Sequence, residues 1–238
     1  MALNAALIGT ACYVAVQEAL RPAFVNFWGE TTNCGGTPCW RASLVLLPQL
    51  IIMPVATGAA YCNHRSLRRW GDDCAARGLG AASYLTVCVF YAAMSVDLVY
   101  AYVLNGKPVV VLRDLMILHH VACILGHCYA IHFCPKLSRP CFVAIVTCLE
   151  LGSAIANVFS ILRLTSYERL GALLYLAGMT ISNILALCLC WFWNRFAGEG
   201  GAHWLRRWPP LSIGVVLFYL RQVEVHKLAL PYFAGSDA

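Results

Sequence analysis

Apolar stretches long enough to cross a bilayer recur along nearly the whole chain. A transmembrane helix needs about 20 mostly apolar residues, because each adds about 1.5 Å against a hydrocarbon core of roughly 30 Å. Seven stretches approach that length: Ala2 to Leu20, Ala42 to Cys62, Ala81 to Leu104, Leu115 to Cys134, Cys141 to Leu162, Leu170 to Trp193, and a weaker one from Leu211. In the last, ten apolar residues lead into Arg221, Glu224, His226 and Lys227, which either snorkel to the interface or lie along it. The connections are short. The expectation is an all-α fold, a polytopic transmembrane bundle of six to seven helices forming a single domain over residues 1–238.

Composition agrees with this. Of the 238 residues, 61% are hydrophobic and 12% charged, against about 25% charged in an ordinary soluble domain. Acids and bases are scattered in ones and twos, so no tract suits nucleic acid. The net charge of +6 is a modest basic excess of the kind found where short loops meet anionic headgroups. All seven Trp residues fall at or just beyond segment ends, where amphipathic rings favour the interface. Pro48 and Pro54 are expected to kink the second segment.

The first segment carries no basic residue before Arg21 and no small-residue cleavage site, so it is expected to be retained. Lys and Arg divide almost evenly between the two sets of loops and leave the orientation open. Most of the 13 cysteines lie within apolar segments, as small buried hydrophobes. Cys34 and Cys39 differ. They flank Gly-Gly-Thr-Pro in the first long loop, where an oxidising compartment would close them into a small disulfide ring and a reducing one would leave free thiols.

An ionisable side chain at mid-membrane costs roughly 2.5–3.5 kcal/mol on insertion scales, so each requires a partner or a purpose. Asp97 lies in the third segment, His119, His120 and His127 in the fourth, and Glu150 in the middle of the fifth, with Asn157 two turns later and Asn183 in the sixth. At 100° per residue, Arg113, Met116, His119, His120, Cys123 and His127 share an arc of about 120°. Glu150 and Asn157 differ by only about 20° and share one face of their helix. Two readings follow: a polar network that locks helices together, or one that binds a lipid headgroup or moves a proton. A metal site is not expected, since His119 and His127 stand about 12 Å apart along a helix axis.

The run Leu115-Met116-Ile117-Leu118-His119-His120-Val121-Ala122-Cys123-Ile124-Leu125-Gly126, after Arg113-Asp114, resembles the His-His signature of the TLC-domain family, multi-pass membrane proteins that include the ceramide synthases. Tyr91 to Asp97 is similar to the family's helix before the histidines. Glu150-Leu151-Gly152-Ser153-Ala154-Ile155-Ala156-Asn157 is similar to the Glu-Leu-Ser-Thr-Pro-x-x-Asn of the TLC-domain-containing branch. The likeness extends over about residues 42–228. The paired aspartates of ceramide synthases are missing and Glu150 and Asn157 occupy the corresponding helix, so the resemblance is closer to the second branch.

That resemblance implies lipid handling, either acyl transfer to a sphingoid base or lysophospholipid or regulation of membrane lipid composition. In an acyl transfer, His119 or His120 would be the base that takes the amine proton, Glu150 would orient that imidazole, and Asp97 would hold the other. Arg113 would hold a phosphate, Asn157, Cys123 and His127 would line the substrate site, and Cys123 is also a conceivable acyl carrier. No cofactor would be bound, and acyl-CoA would be the co-substrate. The alternative is a non-catalytic lipid-binding accessory or structural subunit of a larger membrane complex. A transporter ranks below both, because no inverted repeat is visible. Membrane lipids, other membrane subunits and no nucleic acid are the expected partners. The endoplasmic reticulum is the expected location, with a mitochondrial or other organelle membrane as the alternative.

Overall fold

The structure is a computed structural model that describes residues 2–34, 37–52, 138–201 and 203–234, together with residues 54, 55, 57, 58, 61, 62, 65, 125, 129 and 135. Those residues are mostly helical. Helix α1 runs Ala2–Trp28, and a two-residue hairpin pairs β1, Asn33–Cys34, with β2, Thr37–Pro38. Helix α2 spans Cys39–Leu47, α3 Arg139–Leu162, α4 Glu168–Glu199 and α5 Trp204–Ala229, ending in a 3-10 turn at Leu230–Tyr232. Among the described residues, Pro140–Leu162 and Glu168–Glu199 are long and apolar enough to cross a membrane.

The hairpin closes on the Cys34–Cys39 disulfide. Both cysteines are buried and pack with Ala42, Trp28 and Ile161, so the ring ties the α1–α2 connection to the last turn of α3. Pro48 has no N–H to continue the α-helical ladder, and the backbone widens there into a π-helical turn, Pro48–Ile52.

Helices α3 and α4 lie side by side, joined by a turn in which the Thr165 hydroxyl donates to the Leu162 carbonyl at 2.7 Å. Small residues set their separation. A Cβ on Gly178 would lie 2.4 Å from Ile155 Cδ1, and one on Gly152 would lie 2.5 Å from Ser182 Oγ. One core cluster joins Cys141 and Ile145 to Ala186, Cys190, Trp193 and Ala197. A second, toward the other end, joins Phe159 to Tyr175, Met179, Val225 and Ala229. Phe159 stacks on Tyr175 with centroids 4.9 Å apart and meets Tyr232 edge-on at 5.6 Å.

Helix α5 begins at Trp204, seven residues before the apolar run that marked it in the sequence, with Pro209 and Pro210 inside it. Pro210 cannot donate to the carbonyl four residues earlier, that of Arg206. The Tyr129 hydroxyl donates to that carbonyl instead. Helix α4 likewise continues to Glu199, six residues past the apolar stretch, with an Arg195–Glu199 ion pair of 3.1 Å in its last turn.

Candidate functional site

Glu150 is near the centre of α3, roughly 17 Å from either helix end at 1.5 Å per residue, and only 2% exposed. Its carboxylate Oε2 accepts a hydrogen bond from Gln49 Nε2 at 3.0 Å, and Gln49 Oε1 accepts one from Asn157 Nδ2 at 3.2 Å. The result is a directed chain, Asn157 to Gln49 to Glu150, whose last acceptor is the carboxylate. The spacing of seven that puts Glu150 and Asn157 on one face brings both to the same glutamine. One turn before Glu150, the Thr147 hydroxyl accepts from Thr57 while donating to the Val143 carbonyl at 3.0 Å.

Gln49 itself was not singled out in the sequence. It is 4% exposed and sits in the π-helical turn, a feature found frequently at functional sites. The available signal was an amide beside a proline within an apolar run. A fixed carboxylate in such a setting can orient an imidazole, hold a proton, or lock two helices. Asp97, Arg113, His119, His120, Cys123 and His127 lie outside the described residues.

A second polar assembly forms one face away. Arg221, expected to reach the interface or lie along it, instead turns into the bundle: its Nε donates to Asn183 Oδ1 at 2.9 Å and its Nη2 to the Leu149 carbonyl at 2.9 Å. The same Nη2 lies 3.6 Å from Met179 Sδ. Gly152 makes the room, since a Cβ there would meet Arg221 Nη2 at 2.8 Å. Asn183, buried at mid-α4, donates to Gln222 Oε1 at 3.2 Å, and Gln222 Nε2 donates to Thr180 Oγ1 at 2.8 Å. A charged side chain finds it cheaper to meet amides and carbonyls here than to remain in an apolar surrounding unpaired. The amide at Asn183 was legible in the sequence; the inward turn of Arg221 depends on the glycine opposite it.

No protein family, curated protein or solved structure matches the chain.

Proposed function

We propose that the chain is a multi-pass membrane protein of TLC type that handles lipids, with acyl transfer from acyl-CoA to a sphingoid base or lysophospholipid as the reaction its residues suit best. The observation that carries this reading is the Asn157–Gln49–Glu150 chain, a buried carboxylate held in one orientation at the middle of a helix long enough to span a bilayer. Carboxylates at that depth are costly and are kept for pairing or proton handling. The sequence supplies the complementary groups, His119 and His120.

In this reading His119 or His120 takes the proton from the attacking amine or hydroxyl, and Glu150 balances the imidazolium that forms. The nucleophile bonds to the thioester carbonyl carbon, the carbon–sulfur bond breaks, and the coenzyme A thiolate leaves with the proton returned by the imidazole. Asp97 holds the second histidine and Arg113 a phosphate at the membrane surface. Asn157 keeps Gln49 aligned, and Cys123 and His127 extend the substrate site along their helix.

The test offers the purified protein acyl-CoA with long-chain bases and, separately, with lysophospholipids. The wild type should form product, and the His119→Ala/His120→Ala double variant and Glu150→Gln should lose it by on the order of a hundredfold or more. Identical products from wild type and double variant would reject the enzyme reading. Absence of product together with copurification of a stoichiometric membrane protein would favour the accessory-subunit alternative.

A further inference from the structure

The Cys34–Cys39 ring marks one end of the bundle. Its packing partner Ile161 is in the last turn of α3, so the turn into α4, from Arg163 to Tyr167, lies at the same end. The connection that carries the ring also carries the exposed Arg21–Glu30 ion pair of 3.1 Å. Phe27 and Tyr167, 78% and 61% exposed, add outward aromatic rings here, as suits a membrane interface. The opposite end is equally defined. Pro135, ahead of α3, approaches Gly200 after α4 so closely that a Cβ on the glycine would lie 2.4 Å from the Pro135 Cβ. The start of α3 and the α4–α5 turn therefore lie together, followed by the exposed Trp204 and Trp208. Between the two ends α3 carries the chain about 36 Å over its 24 residues, more than the hydrocarbon thickness of roughly 30 Å, and α4 returns it.

The two ends differ in the state of their sulfur. At the first, two cysteines are bridged. Toward the second, Cys141 and Cys190 share a buried cluster as free thiols, and Cys141 Sγ donates to the carbonyl of Leu189 at 3.2 Å. Disulfides form and persist in oxidising compartments and are rare where thiol reductants are maintained. Closing the ring takes two protons and two electrons from its thiols, and a disulfide oxidant of that compartment accepts them and becomes a dithiol. Cys34 and Cys39 are 4% and 0% exposed, so the finished bridge is shielded from exchange and belongs to the structural kind. Charge leaves the orientation open; the bridge decides it.

We propose that the end bearing the Cys34–Cys39 ring and the α3–α4 turn faces the oxidising compartment, and that the end bearing Pro135, Glu199 and Arg206 faces the reducing one. The inference rests on the bilayer reading proposed above, and it does not depend on the acyl-transfer chemistry. It fixes the direction of supply to the buried carboxylate. A polar substrate made in the reducing compartment, acyl-CoA included, meets the Arg206 end first and approaches Glu150, halfway along α3, from there.

The experiment labels the full chain in its own organelle membrane, in vesicles sealed with the reducing face outward. The probe is a charged, membrane-impermeant maleimide, and peptide mass spectrometry locates the label, so native thiols do not interfere. Ser166→Cys puts a thiol in the exposed α3–α4 turn, and His203→Cys puts one at an exposed position just before α5. Labelling of each variant in detergent with a reductant, which also frees any mixed disulfide, is the reference for full reaction. His203→Cys should react in sealed vesicles as fully as in detergent, whereas Ser166→Cys should react only once detergent opens them. The reverse pattern would overturn the orientation and leave the bilayer reading intact. Labelling of both positions in sealed vesicles, or of neither, would place the two ends of α3 on one side of the membrane and refute the bilayer reading as well.

Discussion

Replacing Gln49 with leucine removes both bonds of the buried chain at once. Gln49 and Glu150 are 4% and 2% exposed, so water does not readily replace the donor lost from Glu150 Oε2, and the half-buried Asn157 Nδ2 loses its acceptor as well. A buried polar group that loses its hydrogen bond costs up to about 1–3 kcal/mol, so two groups give roughly 2–6 as an upper bound. Hydrogen bonds within membrane bundles measure lower, averaging about 0.6 and reaching about 1.7 kcal/mol, so a loss of about 2 kcal/mol is expected. Glu150→Leu in the same background removes the acceptor as well, and the double variant should be less destabilised than the sum of the singles by about 1 kcal/mol. Unfolding of each variant in mixed micelles, followed by far-ultraviolet circular dichroism against the mole fraction of dodecyl sulfate, measures all four corners of the cycle. Additivity to within about 0.3–0.5 kcal/mol would mean that the two side chains do not interact, and the directed chain would then be wrong.

Gly152→Leu should destabilise by about 1–3 kcal/mol through overpacking, because its Cβ would fall within 3 Å of Ser182 Oγ, Arg221 Nη2 and Met179 Sδ. Gly58→Ala, which meets nothing within 4 Å, is the matched control, and equal melting temperatures for the two would contradict the close approach of α3, α4 and Arg221. Reduction of Cys34–Cys39, or Cys34→Ser/Cys39→Ser, should cost roughly 2 kcal/mol, the chain-entropy value for so short a ring. Mass spectrometry with alkylation before and after reduction would count the thiols released, and two free thiols at these positions in the untreated oxidised protein would disprove the bridge.

Helix α3 was readable in the sequence almost to the residue, because a predominantly apolar stretch begins just after Pro140 and ends at Leu162. The starts and ends of α4 and α5 were less legible. Their outer turns are polar and aromatic, from Asn194 to Glu199 and from Trp204 to Trp208, and hydropathy marks only the apolar part of a helix that continues past it. Within the site, the shared face of Glu150 and Asn157 followed from 3.6-residue periodicity. Gln49 and Arg221 did not follow, since each depends on a partner distant in sequence: Gln49 on residues 101 and 108 positions away, Arg221 on the gap left by Gly152. Trp193 shows the same limit. Its position at a segment end suggested an interfacial ring, but its neighbours Trp191 and Phe192 take the outward face, and helical rotation carries Trp193 inward to 1% exposure.

Helices α4 and α5 turn many large apolar side chains outward and bury several polar ones beside their apolar core. Leu170, Leu173, Leu174, Ile181, Ile184 and Leu185 of α4 are each about half exposed, and Ile213, Val216 and Tyr219 of α5 are at least as open. Gln49, Glu150, Ser182, Asn183 and Asn194 are buried. Scattered exposed leucines would carry no information, whereas buried polar groups and contiguous exposed apolar faces do. Water would reward the opposite arrangement, taking the amides and the carboxylate outward and the leucines in. Hydrocarbon favours this one, because it cannot hydrogen-bond the polar groups and they must find one another. Each polar side chain then needs a partner on another helix, and α3 supplies most of them: the Glu150 carboxylate to Gln49, the Leu149 carbonyl to Arg221, and the Cys148 carbonyl to Ser182. Three consecutive residues thus tie α3 to the π-helical turn, α5 and α4, and a change that shifts α3 at this level is transmitted to the carboxylate and the guanidinium together.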